Sequence, residues 1–215
     1  MTVVGGNLPC SAVILSGGRN SRMAGRNKAF LEVGGRPILD WIMHALTPIF
    51  SQILLVTRQP ELYQGLGHRL EVIEDIFPGR SSLTGIHAGL VHSRASHALV
   101  VPCDAPFIQP KVLLSLIKHA EPDLDVIVPV SGDYYQPLCA IYSKRCVDPI
   151  EAQLQRKEYK IIQLFEKVNL KTIPVERFRS LDPELCSFFN VNTPEAHRQS
   201  QAMARHCRVP PAGHP

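Results

Sequence analysis

An apolar, largely β-branched run, Ala12 to Leu15, stops at Gly17-Gly18, and Arg19, Ser21, Arg22, Gly25 and Lys28 follow in close order. Paired glycines have no Cβ, tolerate positive φ and let the backbone come close to a ligand. Exposed backbone N–H groups, with two arginines and a lysine nearby, suit a polyanion such as a triphosphate. A tight turn carrying solvated arginines is the ordinary explanation of the same residues. The serines (Ser16, Ser21), the three basic residues and the strand upstream favour the phosphate reading. The spacing excludes two familiar alternatives: it is not G-x-G-x-x-G, and no G-x-x-x-x-G-K-[ST] occurs in the chain.

Acidic residues close two further apolar runs. Asp104 follows Ala98-Leu99-Val100-Val101-Pro102-Cys103, and Asp75 follows Leu70-Glu71-Val72-Ile73-Glu74. In open α/β sheets ligands bind outside the carboxyl ends of the strands, where both aspartates would lie. Asp104, with Pro106 fixing the next turn, is placed to hold Mg²⁺, which takes a carboxylate or two plus substrate phosphates. The plain alternative is an aspartate capping the turn before a helix near Lys111. In Asn190-Val191-Asn192-Thr193-Pro194-Glu195, Thr193 and Pro194 read as a helix N-cap and first helical residue. That leaves Asn190 and Asn192, at alternate positions, to meet a polar acceptor or a metal-bound water. His87, His92 and His97 are spaced by five and do not share a helix face, so they read as surface histidines. Ser16 lacks a G-x-S-x-G setting, and Cys103 reads as a buried strand-end thiol.

Short strand-like runs (Ala12–Leu15, Gln52–Val56, Arg69–Ile73, Ala98–Val101, Asp125–Val130) alternate with segments of helical periodicity. Ile38, Trp41, Ile42, Ala45 and Leu46 line one helix face after Pro37. Ile86 to Leu90 belong to a short helix, and Val112 to Ile117 to another opening after Pro110. This alternation predicts a mostly parallel sheet covered on both faces. From about residue 132 the rhythm changes: Gly132-Asp133 signals a turn and Leu138–Tyr142 a strand soon after, an antiparallel excursion. A helical region over 144–167, a strand near 170–175, an apolar piece Ser187–Val191 and a helix from Pro194 complete the expectation. We divide the chain into an N-terminal extension (1–10), one domain (11–205) and a frayed tail (206–215).

The 215 residues, 45% hydrophobic and 20% charged, suit one globular α/β domain. A net charge of +4, with no extended basic run, fits an anionic ligand but not a nucleic-acid-binding face. No apolar stretch is long enough to cross a bilayer, and Met1 to Cys10 lacks the pattern of a signal peptide. The six cysteines form no C-x-x-C pair. They read as reduced thiols of a cytoplasmic protein, with neither a zinc site nor a disulfide framework.

Leu15-Ser16-Gly17-Gly18, Ser21-Arg22-Met23 and Lys28 together resemble the L-A-G-G-x-S-x-R-M-G-x-x-K signature of the nucleotidyltransferases that include molybdenum cofactor guanylyltransferase. Val72 to Asp75 is similar to that family's segment ending in a nucleotide-contacting aspartate. Pro102-Cys103-Asp104-Ala105-Pro106 is similar to its P-C-D-x-P metal motif, and Asn190 to Glu195 to its N-x-N-T-P-E element. The landmarks keep family order over about 12–197. The resemblance implies a single three-layer α/β/α domain of nucleotidyltransferase type, with a mostly parallel Rossmann-like sheet. It also implies Mg²⁺-dependent transfer of GMP from GTP to the molybdopterin cofactor, with release of pyrophosphate. Carried over by position, Leu15, Ser16, Gly17 and Gly18 contact the nucleotide, Lys28 and Arg22 hold phosphates, Asp75 reaches the nucleoside and Asp104 binds Mg²⁺. Such chemistry needs positioning and charge neutralisation rather than a protein nucleophile.

Three departures stand near the implied pocket. Asn27 occupies the place of an aspartate, Ser81-Ser82-Leu83-Thr84-Gly85 that of G-P-L-A-G, and Leu55-Val56-Thr57-Arg58 a strand end that often carries asparagines. Three other functions compete. CMP transfer to the same cofactor is disfavoured by the second glycine of Gly17-Gly18, and a non-catalytic cofactor or nucleotide carrier by the retained Lys28 and Asp104. A sugar-phosphate nucleotidyltransferase is disfavoured by the P-C-D-x-P and N-x-N-T-P-E pair. The implied partners are GTP, the molybdopterin cofactor and, transiently, a recipient apo-molybdoenzyme or its chaperone, with neither nucleic acid nor membrane. Lys144, Arg145, Arg156 and Lys157 are candidates for an anionic acceptor, a solvated helix face being the plain alternative.

Overall fold

The computed structural model describes residues 9–17, 27–66, 69–75, 77 and 81–207. Its centre is β1 (Cys10–Ser16), whose residues are buried up to the polar end at Ser16. Parallel partners flank it: β4 (Ile53–Thr57) with Ala12 opposite Ile53, and β6 (His97–Pro102) with Ala12 opposite Leu99. β5 (Leu70–Glu74) continues the parallel set beyond β4. Because strand side chains alternate between faces, β1 serves both halves of the core. Ala12 and Ile14 pack with α1 (Ile38–Leu46) and α3 (Pro110–Ile117), whereas Val13 and Leu15 pack with α2 (Ser82–His92) and α4 (Val147–Gln155). These are the three α/β/α layers expected.

The antiparallel excursion is also present. β7 (Val126–Ser131) turns at Gly132, φ +55°, into the short β8 (Tyr134–Tyr135). β9 (Ala140–Ser143) then inserts between β6 and β7, antiparallel to both, and β10 (Leu170–Pro174) lies parallel to β7 at the edge. The eight-stranded sheet reads β10-β7-β9-β6-β1-β4-β5, with β8 on β7, and a small ribbon pairs β2 (Glu32–Val33) with β3 (Arg36–Pro37). The last helix, α5 (Pro194–Met203), is capped by Thr193, whose Oγ1 accepts from the Ala196 N–H at 3.1 Å.

Four expectations need correction. The helical region at 144–167 is not continuous: α4 ends at Gln155, and Lys157 takes a left-handed φ of +61°. The buried Gln153 amide holds this reversal by donating to the carbonyls of Glu158 and Lys160, at 3.1 and 2.9 Å. The apolar piece Ser187–Val191 forms no strand, although the alternate positions of Asn190 and Asn192 suggest one. Cys186–Phe188 forms a 3₁₀ turn whose Cys186 and Ser187 N–H groups donate to the buried Asp182 carboxylate. His87 and His97 are core residues, each 2% exposed, and not surface histidines. Cys186 and Cys207 are joined in a disulfide with Cα atoms 6.3 Å apart, so the reading of six free thiols fails for this pair. Nothing in the spacing of these two cysteines announces the bond, since the turn over 186–188 and α5 must first fold to bring them together. Residues 208–215 of the tail lie outside the described residues.

Candidate functional site

A cavity of about 790 Å³ opens at the carboxyl ends of β1, β4, β5 and β6. Leu15, Ser16 and Gly17 line it from β1, Asp75 from the end of β5, and Cys103 and Asp104 from the turn after β6. Lys28, Asn190 and Asn192 reach it from outside the sheet. The predicted site residues within the described set thus share one cavity. Gly18 and Arg22, with Arg19, Ser21, Met23 and Gly25, lie outside the described residues.

Tertiary structure joins the three sequence landmarks. Lys28 Nζ donates to Asp104 Oδ2 at 3.0 Å and, in a very short contact, to the Asn192 side-chain oxygen. Asp104 and Lys28 are largely buried, with side-chain exposures of 12% and 17%. Two backbone bonds set the height of the Asp104 turn. The Cys103 N–H donates to Leu15 O at 3.1 Å, and the Val191 N–H donates to Asp104 O at 2.8 Å. The second of these, without any sheet pairing, carries Asn190 and Asn192 to the cavity. Burial pushes the Cys103 thiol up to about 11, which keeps it neutral and inert as a nucleophile.

Asp75 faces the opposite wall. Its Oδ2 accepts from Thr84 Oγ1 at 2.7 Å and lies 3.7 Å from Arg58 Nε. Burial raises the Asp75 pKa, against the lowering effects of the Thr84 hydrogen bond and Arg58. Its Oδ1 is buried with no hydrogen-bond partner among the described residues. An unpaired buried carboxylate oxygen is costly, and a hydroxyl-bearing ligand would satisfy it. The departure at 81–85 has a structural role here: Ser81 caps α2 by accepting from the Thr84 N–H at 3.1 Å, and Thr84 supports Asp75.

The departure at Asn27 is also built in. Its Oδ1 accepts from the Ala29 N–H at 3.1 Å, capping the Lys28–Phe30 turn that presents Lys28. Its Nδ2 donates to the Tyr63 hydroxyl at 2.8 Å. Tyr63 is the residue that sequence reasoning missed. It ends a 3₁₀ turn, Pro60–Tyr63, with no motif around it, and only the packed fold brings its hydroxyl between residues 16 and 27.

For a divalent cation the donors near Asp104 are hard oxygens, one carboxylate with the Asn190 and Asn192 amides on the same cavity. That set fits an ion completed by substrate phosphates rather than a protein cage. The one cluster of three metal-type ligands among the described residues is elsewhere, at Glu184, Cys186 and Cys207, where the sulfurs are already bonded to each other. The acceptor candidates do not converge on the cavity. Arg145 pairs with Asp125 at 2.7 Å and Arg156 with Glu158 at 3.3 Å, and Lys144, Arg145, Arg156 and Lys157 are absent from the cavity wall.

Comparison with known proteins gives a consistent pattern. A family model described as the MobA-like NTP transferase domain matches residues 12–171. The molybdenum cofactor guanylyltransferase of Desulfosudis oleivorans is 35% identical over 199 residues, covering 93% of this chain and 98% of that protein. A probable molybdenum cofactor guanylyltransferase of Pelotomaculum thermopropionicum is 36% identical, covering 94% and 97%. The crystal structure of molybdopterin-guanine dinucleotide biosynthesis protein A from Archaeoglobus fulgidus superposes with a TM-score of 0.80 at 30% identity, over 91% of this chain and 98% of that one.

Proposed function

The chain belongs to the MobA-like NTP transferase family, and from that premise we propose that it transfers GMP from GTP to the molybdenum-molybdopterin cofactor, forming molybdopterin guanine dinucleotide and pyrophosphate. One observation carries the reading: Lys28, Asp104 and Asn192, far apart in sequence, meet at one end of a cavity whose other wall bears an unsatisfied carboxylate oxygen. That is a cation and a metal-type carboxylate for phosphates at one end, and an acceptor for a nucleoside hydroxyl at the other. The names of the two relatives, one a molybdenum cofactor guanylyltransferase and the other a probable one, support the substrates.

In this reading Lys28 pairs with the nucleotide phosphates, and Arg22 joins it by its motif position. Leu15, Ser16 and Gly17 form the nucleotide-facing edge, Gly18 joins them by its motif position, and Asp75 Oδ1 accepts from a ribose hydroxyl. Asp104, assisted by the Asn190 and Asn192 amides, holds Mg²⁺, which when bound neutralises phosphate charge and the leaving pyrophosphate. The terminal phosphate of the molybdopterin attacks the α-phosphorus of GTP, the bond to the β-phosphate oxygen breaks, and no protein nucleophile takes part. The neutral Cys103 thiol agrees with that assignment. We place the protein in the cytoplasm, and its product passes to an apo-molybdoenzyme or a chaperone by transient contact.

The test is pyrophosphate release by purified protein with Mg²⁺ and molybdopterin cofactor, comparing GTP, CTP, ATP and UTP. We expect release with GTP alone, abolished by Asp104→Ala. Release with CTP alone would move the chain to cytidylyl transfer. Tight GTP binding without release from any nucleotide would make it a carrier.

A further inference from the structure

The hydrogen-bond directions around Tyr63 can be worked out from fixed donors. The Ala29 backbone N–H can only donate, so the Asn27 side-chain atom facing it at 3.1 Å is the carbonyl oxygen. The Asn27 NH₂ is therefore turned to the Tyr63 hydroxyl at 2.8 Å and donates to it. Tyr63 has one proton, and Ser16 Oγ lies 2.5 Å away. Asn27 presents only a donor to the tyrosine, so among the described residues the acceptor left for that proton is Ser16. Tyr63 is 2% exposed and its ring packs on Phe30 at 5.2 Å, so the hydroxyl has no bulk water to turn to.

The consequence falls on Ser16, at the carboxyl end of β1 on the cavity wall. Ser16 Oγ accepts from Tyr63, so its own proton is left over. Among the described residues the other group within its reach is the Cys103 sulfur, a weak acceptor. We propose that Tyr63 is a positioning residue for the nucleotidyl transfer: the directed chain Asn27→Tyr63→Ser16 holds the Ser16 hydroxyl as a donor into the cavity, ready for an oxygen of the bound nucleotide. This rests on the nucleotide-binding reading of the cavity and adds to it a residue that lines no part of the wall. It also gives the amide at 27 a purpose. A carboxylate there would accept the Tyr63 proton, and Ser16 would then have to donate its own to the tyrosine.

The same contacts tie Ser16, before the Gly17-Gly18 pair, to Asn27, beside the phosphate-pairing Lys28. Tyr63→Phe keeps the ring against Phe30 and removes only the hydroxyl. We expect GTP binding in the presence of Mg²⁺, measured by calorimetry, to weaken roughly tenfold. KM for GTP should rise in step while kcat changes little, because the donor serves ground and transition states alike. Ser16→Ala should show the same loss, and the double variant should be no worse than Ser16→Ala alone, since both changes remove one donor. Asn27→Asp should cost more affinity in the Tyr63 protein than in the Tyr63→Phe background.

Wild-type affinity in Tyr63→Phe, or additive losses in the double variant, would overturn the chain. A fall in kcat alone would also overturn it. Should Tyr63→Phe melt early, the comparison of Ser16→Ala with Asn27→Asp in folded protein decides, through the same non-additivity. Failure of the wild type to bind any nucleoside triphosphate would instead overturn the nucleotidyltransferase reading itself, and the positioning role with it.

Discussion

Lys28 is the residue on which the site closes. Its ammonium sits between the Asp104 carboxylate and the Asn192 amide oxygen, oxygen partners of the kind that phosphates would offer it. Charge-assisted hydrogen bonds contribute about 1.5–3 kcal/mol each, so Lys28→Gln should weaken GTP binding by roughly 10–100-fold in a calorimetric titration. At the opposite wall, Asp75→Asn offers a donor where an acceptor is needed. We expect it to weaken GTP and to discriminate less between GTP and an analogue lacking the ribose hydroxyls. That Lys28, Asp104, Asn190 and Asn192 share a cavity was legible only through their resemblance to the family's motifs, because a turn cap accounts for Asp104 alone and two alternate asparagines carry little by themselves. Tyr63 was not, since a tyrosine in a short connection carries no pattern, and its partners are 47 and 36 residues away. Asp182 escaped for the same reason, as a buried acceptor for two backbone N–H groups.

At the scale of elements, α2 shows how closely a helix can be laid on the sheet. A Cβ added at Gly89 would lie 2.5 Å from Val13 Cγ1, and one at Gly85 would lie 3.0 Å from Leu15 Cδ2. Both valine methyls crowd the Gly89 position, and Val13 is fully buried in the central strand. Gly89→Ala should therefore destabilise the protein by about 1–3 kcal/mol as an overpacked core does, read from denaturant unfolding. The disulfide acts on another element. It brackets the Asn190–Asn192 segment and α5 between residues 186 and 207. Reduction or Cys207→Ser should cost roughly 3 kcal/mol, the loop-closure value for a ring of comparable length. The strands and α1 were readable from their apolar periodicity. The end of α4 was not, because a buried glutamine side chain, rather than a glycine or proline, turns the chain there.

Across the whole molecule, two buried histidines contribute to acid sensitivity. Burial lowers the pKa of both His87 and His97, and several of their ring nitrogens have no partner among the described residues. The unfolded chain, with histidine near pKa 6.5, then binds protons that the folded chain does not. Stability should be full above about pH 6.5 and decline as pH falls below it towards the lowered folded values. Melting temperatures measured from pH 7.5 down to 5 in steps of about half a unit check this, and His87→Phe should make the decline shallower.

The sheet order bears on how the protein is made. β1, β4, β5 and β6 form a contiguous parallel set by residue 102, but the neighbour that covers the β6 edge, β9, begins at residue 140. A chain emerging from the ribosome thus presents an open β6 edge for the time needed to synthesise the intervening residues, and an exposed edge is a template for mispairing. The cavity has most of its floor at that stage, yet the Asn192 oxygen on Lys28 arrives only after a further stretch has been translated. Nucleotide cannot meet its complete set of contacts on a nascent chain, so ligand cannot protect the vulnerable edge, and protection during synthesis falls to whatever binds open strands.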